Sequence, residues 1–158
     1  MGLKIEFIRN PVQVDSGVFQ TQTVQVPGIG TGAAYASGDA FGSKITIPVP
    51  KSGTISYVVF LDLDNEGATK DLVLFKSDFV ATADNAVFAP SSVDLVGCLG
   101  VITIDALDFA NFSTNRIGRA TPAFSYVAPA GLLYAQFVTR GGDNIAAGSL
   151  PQFFMVIV

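Results

Sequence analysis

Apolar and polar side chains alternate with a period of two along most of this chain. In TISYVVFLDLD, residues 54–64, every second position is apolar, and Val58 and Phe60 add apolar side chains to the opposite face. Because successive side chains of a β-strand point to opposite faces, this alternation predicts strands. Nine segments are predicted to be strands: 3–9, 18–26, 44–50, 54–64, 71–80, 94–104, 123–129, 132–140 and 152–158.

Turn-forming residues separate these segments at short intervals. Gly, Pro, Asn and Asp are frequent between them, as in residues 27–42 and 139–151. Short strands joined by such turns indicate an all-β fold, either a sandwich or a barrel. One segment is a candidate for a helix, DALDFANF at 105–112, in which Asp105 could cap one or two helical turns. The alternative for this segment is a loop. No linker or charge block divides the sequence, so we expect one domain over residues 1–158.

The proportion of charged residues is low. Hydrophobic residues make up 49% of the sequence and charged residues 14%, whereas an ordinary domain has about 25% charged residues. Every long apolar stretch, including LVGCLGVITI at 95–104, is shorter than the ~20 residues that a bilayer span needs. The segment MGLKIEFIRN places charges among its apolar residues, unlike a secretory signal. We therefore expect no membrane partner, no export, and burial partly against neighbouring subunits, as in an assembly component.

Charge and residue types argue against several functions. The formal net charge is −4 and the nine basic residues are scattered, so direct binding of DNA or RNA is not expected. The sequence contains no histidine, which removes the commonest general base and metal ligand. The single cysteine, Cys98, lies among apolar residues and is expected to be a small core residue. We predict no cofactor and no enzymatic activity.

The segment LDLDNEGATKDLV, residues 61–73, is the best candidate for a metal site. Asp62, Asp64 and Glu66 stand before a glycine as in the first half of a calcium loop. The twelfth position lacks the bidentate Glu of such a loop, however, and Lys70 adds a positive charge at the ninth. We therefore favour a polar hairpin turn between the strands predicted on either side, with a weak calcium site as the alternative.

Two other polar segments have weaker functional interpretations. GIGTG at 28–32 does not place its third glycine at the step that a dinucleotide-binding loop needs, and no helix follows it, so we expect a flexible turn. Asp78, Asp84 and Asn85 form an oxygen-rich loop. Paired carboxylates act as acid and base in glycosidases only when they face each other across a cleft, and the sequence gives no support for one.

The segment AYASGDAFGSKITIPVPKSGTISYVVFLDLDNEGATKDLVLF, residues 34–75, resembles a group of small structural proteins of tailed bacteriophages. In that group a phrase of the form Y-x-x-G-D-x-x-G enters a strand, and a strand ending in Asp leads through a polar loop to a leucine-x-leucine-phenylalanine strand. The matching elements here are YASGDAFG (35–42), Asp62, LVLF (72–75), DNA (84–86), GCLGV (97–101) and LLYAQFVTRG (132–141).

The resemblance implies a virion component. Members of the group that have an assigned role resemble capsid cement or decoration proteins, which have jelly-roll-like sandwiches. Together with the strands predicted above, this indicates an antiparallel, jelly-roll-like β-sandwich of about eight to nine strands. It further implies that the partners are the major capsid protein and copies of the chain itself. The expected location is the surface of the head, after synthesis in the host cytoplasm.

The segment QFFMVIV, residues 152–158, has six apolar side chains among its seven. Such a segment must be tucked into a sheet, buried by another chain, or both. We predict a paired inner strand with one face in the core, while the other face lies either at a subunit contact or inside the same subunit. Arg116 and Arg119 could bind an anion, but a solvated or subunit-bridging pair is favoured. The candidate interface residues are therefore Phe153, Phe154, Met155, Val156, Arg116 and Arg119.

The leading hypothesis is a non-enzymatic phage capsid cement or decoration protein that binds the assembled head and stabilises it. One alternative is a tail- or fibre-associated module that binds a host receptor or glycan. Another is a calcium-dependent binding domain that uses Asp62, Asp64 and Glu66.

Overall fold

Nearly all regular structure in this protein is β-strand. The computed structural model describes residues 17–158, so the strand predicted at 3–9 lies outside the described residues. The helical elements are short: α1 covers Ser92–Leu95, and a single 3-10 turn covers Ala106–Asp108. The strands are β1 (Phe19–Gln20), β2 (Val24–Gln25), β3 (Ala40–Pro48), β4 (Ser52–Asp62), β5 (Lys70–Phe75), β6 (Cys98–Ile104), β7 (Phe109–Asn111), β8 (Arg116–Ala120), β9 (Phe124–Val127), β10 (Leu132–Thr139) and β11 (Gln152–Ile157).

The strands form two antiparallel sheets that pack face to face. The larger sheet has the order β1-β11-β4-β8-β7, with β2 also on β11 and β9 also on β4. The smaller sheet has the order β3-β10-β5-β6. The predicted antiparallel β-sandwich is thus confirmed, and the alternative of a barrel is wrong. The described residues hold 11 strands rather than the expected eight to nine because the predicted strand 18–26 is split into β1 and β2 and two short strands, β7 and β8, are added.

Strands near the beginning of the described chain pair with strands near its end, and each further pair lies closer to the middle of the sequence. β1 and β2 pair with β11, β3 pairs with β10, β4 with β8 and β9, and β5 with β6. A long antiparallel ribbon that is rolled up in this way alternates between the two sheets and is a jelly roll. The end of the ribbon is the connection between β5 and β6, residues 76–97.

Side-chain chemistry explains where the predicted strands are interrupted. The predicted strand 18–26 is split at Thr21, whose hydroxyl accepts a hydrogen bond from the Met155 amide at 2.9 Å. β8 and β9 lie end to end along β4, separated by a bend at Pro122 and at Ala123, where φ is +48°. The sequence pattern did not reveal β8 because its centre is Gly118, which has no side chain to show the alternation.

The connection between β4 and β5 corrects one expectation. These two strands belong to different sheets and do not pair, so the hairpin turn predicted within residues 61–73 is wrong. Alternation identifies a strand but does not specify its partner. The segment is instead a crossover between the sheets, and it brings Lys70 into the interior with 2% of its surface exposed.

Side-chain caps determine where the two helical elements begin. The predicted strand 94–104 begins only at Cys98, because Ser91 caps α1 by accepting a hydrogen bond from the Asp94 amide at 3.1 Å. The predicted cap at Asp105 is confirmed, since its side chain accepts from the Leu107 amide at 3.0 Å and begins the single 3-10 turn.

Aromatic side chains fill the space between the sheets. Phe60 and Phe153 each meet Phe137 edge to face with ring centroids 5.1 Å apart. On the opposite face of the smaller sheet, a second apolar cluster is formed by Val73, Phe75, Phe79 and Val138, with Phe88, Cys98 and Tyr134 partly buried against it. The segment 76–97 therefore folds back over the outside of the smaller sheet. No helix within residues 17–158 combines the length and the apolar character that crossing a membrane would require.

Candidate interaction surface

The strand β11 lies inside the larger sheet, paired on one side with β4 and on the other with β1 and β2. Phe153 and Met155 point into the core and are 0% exposed. Phe154 and Val156 point to the opposite face, where Val156 is buried and Phe154 partly buried. The predicted paired inner strand is confirmed, and a subunit contact on its outer face stays a prediction.

The structure does not bring Arg116 and Arg119 together. They stand three positions apart in β8, so they point to opposite faces of the sheet. Arg116 donates from Nε to the Asn65 side-chain oxygen at 2.7 Å. Arg119 lies on the outer face, with its guanidinium carbon 4.2 Å from the centroid of the Tyr57 ring, a cation–π contact. The two arginines therefore do not form a paired anion site.

The acidic loop at residues 62–66 binds backbone amides. Asp62 is 3% exposed and accepts from the amides of Gly67 at 2.6 Å and Asp64 at 3.1 Å. Asp64 in turn accepts from the Ala146 amide at 2.6 Å. Burial raises the pKa of the Glu66 carboxyl. Over residues 17–158, no three acidic or cysteine side chains come together in a group that could hold a metal ion.

Asp84 holds the glycine-rich loop GIGTG in place. Its carboxylate accepts hydrogen bonds from the amides of Gly30 at 2.7 Å and Gly42 at 2.6 Å, and from the Tyr35 hydroxyl at 2.8 Å. Burial, and next the hydrogen bond to Asp84, raise the pKa of Tyr35 above its usual value. The neighbouring Asn85 donates to the Ala34 carbonyl at 3.3 Å. The oxygen-rich loop thus anchors backbone.

Segment 76–97 is fixed to the sheet beneath it. The Phe79 ring stacks on Phe75 with centroids 4.1 Å apart. Lys44 forms an ion pair with Asp78 and donates to the Phe79 carbonyl at 3.0 Å. The buried Gln136 side chain, 0% exposed, hydrogen-bonds both backbone groups of Thr82. These contacts make the segment an ordered surface.

Segment 76–97 also carries exposed aliphatic side chains. Five of them are between 52% and 80% exposed, and we call them the aliphatic surface: Val80, Val87, Val93, Leu95 and Val96. Val80 lines the same shallow depression as Asp94, which stands between Val93 and Leu95 in α1. The alternation pattern does not reveal this surface, because it extends predicted strands over Val80, Leu95 and Val96. The available signal was the run Ser91-Ser92 before VDLV, a helix cap between two strands.

A small groove separates β1 and β2 from the edge strand β3. Its volume is about 220 Å³, and its apolar lining includes Phe19, Val24, Ile47 and Pro48. Pro48 is the last residue of β3, an edge strand of the smaller sheet, where a residue without an amide hydrogen is tolerated. The groove is smaller than the roughly 300–1,000 Å³ of typical ligand sites.

No protein-family model matches this sequence, and no curated protein matches it either.

Proposed function

We propose that this protein is a non-enzymatic cement or decoration protein of a tailed-phage capsid, which docks on the assembled head through the aliphatic surface. The observation that carries the proposal is the exposure of Val80, Val87, Val93, Leu95 and Val96 on an anchored segment. The resemblance of residues 34–75 to small phage structural proteins supports it.

Exposed aliphatic side chains on an ordered segment favour binding for two reasons. Each buried methylene gains about 0.8 kcal/mol when it leaves water. The backbone beneath these side chains is already held by Gln136 and Phe79, so docking orders little additional chain. A specific interface needs on the order of 1,000 Å² of buried surface, so we expect further contacts around the aliphatic surface.

The proposed mechanism is thermodynamic linkage. A protein that binds only the assembled shell, and not free shell subunits, lowers the free energy of the assembled state. No reactive group is needed for this role. The jelly roll is compatible with it but does not select it, because the same fold is used by capsid proteins and lectins.

The first test is co-sedimentation with undecorated shells of the tailed phage that encodes the protein. We expect the wild-type protein to sediment with the shells, and the variant Val93→Asp/Val96→Asp to remain in the supernatant. Leu107→Asp is the matched control, because Leu107 is 93% exposed but lies in the 3-10 turn outside the aliphatic surface. All three proteins should have the same melting temperature, since none of the changed side chains is buried.

The second test measures function on the particle. Particles that carry the wild-type protein should release their genome at a higher temperature than particles that carry the Val93→Asp/Val96→Asp protein or none. Equal release temperatures, or failure of the wild-type protein to sediment with shells, would contradict the proposal. Binding to host-cell glycans in place of shells would favour the receptor-binding alternative.

A further inference from the structure

Lys70 and Asp143 form an ion pair in the interior of the sandwich. The Lys70 side chain is 2% exposed and that of Asp143 is 0% exposed. The Lys70 Nζ lies 2.9 Å from the Asp143 Oδ1. Lys70 begins β5, whereas Asp143 lies in the connection between β10 and β11, 73 residues further along the chain. An amine and a carboxyl group from distant parts of the sequence are therefore in direct contact away from solvent.

Two aromatic rings lie beside the Lys70 amine, which also donates to the Ala68 carbonyl at 2.9 Å. Its Nζ lies 5.0 Å from the centroid of the Phe41 ring and 5.7 Å from that of Phe60. Burial lowers the pKa of Lys70, against the opposing effect of the Asp143 charge. In such a low-dielectric site the charged pair loses hydration, so transfer of one proton from Nζ to Oδ1 is less costly than in water. That transfer leaves a neutral amine in contact with a carboxylic acid.

The second carboxyl oxygen of Asp143, Oδ2, also has a hydrogen-bond partner. Asp143 Oδ2 accepts a hydrogen bond from the Thr139 hydroxyl, and the Gly141 amide donates to that hydroxyl oxygen at 3.3 Å. A donor at this position stabilises the negative charge that develops on Oδ2 when a nucleophile adds to the carboxyl carbon. A desolvated lysine amine is such a nucleophile, and its hydrogen bond to Oδ1 holds it beside the carboxyl group that it would attack.

We propose that Lys70 and Asp143 become joined by an isopeptide bond that the folded chain forms without any other reactant. The neutral Nζ bonds to the Asp143 Cγ, and the electron pair of the C=O bond moves to Oδ2, where Thr139 holds it. The nitrogen then passes one proton to the protonated Oδ1. The Cγ–Oδ1 bond breaks, one water molecule leaves, and an amide remains. The reaction is a condensation and needs no oxidant, reductant or cofactor.

The bond would tie the beginning of β5 to the connection between β10 and β11. It would close a loop across most of the jelly roll, which restricts the unfolded chain more than a short loop does. Resistance to heat and to mechanical load follows. The inference is independent of the proposed function, because it depends only on the interior of the subunit.

The test is the intact mass of the full-length folded protein, measured after denaturation. We expect a mass lower than that of the sequence by one water molecule. Trypsin should then give a branched peptide that joins residues 52–76, uncut at Lys70, to residues 141–158. The unmodified mass in protein that is shown to be folded would overturn the proposal. A water loss confined to a linear peptide with Asp143 indicates a succinimide and would overturn it equally.

Variants identify the reacting groups. Lys70→Arg keeps the positive charge but should show the unmodified mass. Asp143→Asn offers a carboxamide to the same amine and should lose one ammonia instead of one water. Lys44→Arg is the matched control, because Lys44 and Asp78 form an ion pair at the surface, and this variant should keep the water loss. If Lys70→Arg does not fold, the wild-type mass and the branched peptide still decide the question.

Discussion

The Gln136 side chain pairs with the backbone of Thr82 as a neighbouring strand would. Its Nε2 donates to the Thr82 carbonyl at 2.7 Å, and its Oε1 accepts from the Thr82 amide at 3.1 Å. The same Nε2 donates to the Gly42 carbonyl at 2.8 Å. A residue of β10 thus fixes segment 76–97, and with it the aliphatic surface, to the outside of the smaller sheet.

Gln136→Ala should loosen this segment. The change leaves the Thr82 amide, the Thr82 carbonyl and the Gly42 carbonyl without their partner, and we expect a loss of about 3 kcal/mol in the free energy of unfolding. Urea denaturation measures the loss, and amide hydrogen exchange should accelerate most in segment 76–97. Gln22→Ala, at an exposed position, is the control and should leave both unchanged. Uniform acceleration over the whole chain would contradict a local anchoring role.

Tyr126→Phe should stabilise the protein. The Tyr126 hydroxyl is buried and has no hydrogen-bond partner among the described residues. Removal of an unsatisfied buried hydroxyl should raise the free energy of unfolding by about 1 kcal/mol. Thermal and urea denaturation at pH 7 measure the change, and a lower melting temperature would show that the hydroxyl has a partner after all.

The same residue predicts a dependence of stability on alkaline pH. Burial raises the pKa of Tyr126 to about 12, above the value near 10 for the unfolded chain. Because the folded pKa is the higher one, its contribution is fully present below pH 10 and is lost as the pH rises from 10 to 12. Tyr126→Phe should therefore lose less stability over that interval than the wild-type protein does.

The sequence predicted the strands better than their arrangement. Alternation located β3, β4, β10 and β11 because each has one face in the core and therefore a regular apolar repeat. It did not show that β4 and β5 lie in different sheets, because pairing depends on contacts between residues far apart in sequence. It also extended two strands into segment 76–97, where apolar residues such as Val80 belong to an exposed loop.

The polar residues were predicted least well. Asp62 and Asp64 are predicted as possible metal ligands and Asp84 as part of an oxygen-rich loop, yet each accepts hydrogen bonds from backbone amides. For Asp62 the amides belong to its own loop, and for Asp64 and Asp84 to distant parts of the chain. Spacing along the chain identifies carboxylates but does not reveal which amides they meet after folding. The sequence presents Lys70 only as a positive charge that weakens a calcium loop, because nothing in its local sequence indicates that Asp143 lies beside it in the interior.

Asp84→Asn should release the glycine-rich loop. The asparagine amide group cannot accept hydrogen bonds at both of its ends, so of Gly30, Gly42 and Tyr35 at least one loses its partner. Hydrogen bonds to a charged acceptor are worth about 1.5–3 kcal/mol, and we expect a loss of about 2 kcal/mol in the free energy of unfolding. The pKa of Tyr35 should fall towards its ordinary value, since the Asp84 hydrogen bond and charge both raise it. Ultraviolet titration of the tyrosines measures this shift, with Tyr126 as the internal control.

Glu66→Gln should stabilise the protein at neutral pH. Burial is the main cause that raises the pKa of Glu66, and the charges of Asp143, Asp64 and Asp62 add to it. A folded pKa above the unfolded value means that the favourable contribution is fully present below the unfolded pKa and is lost as the pH rises through the folded pKa. The ionised carboxylate therefore costs stability at pH 7, and glutamine removes that cost while it can still accept a hydrogen bond from the Asn144 backbone.

Urea denaturation of Glu66→Gln and the wild-type protein at pH 7 and at pH 3 measures this effect. We expect the variant to be the more stable at pH 7 and the difference to disappear at pH 3, where the wild-type carboxyl is protonated. A variant that is less stable at pH 7 would instead indicate that the Glu66 carboxylate is held by a favourable charge interaction. In that case its folded pKa would lie below the unfolded value, and NMR titration of the Glu66 side chain would show this directly.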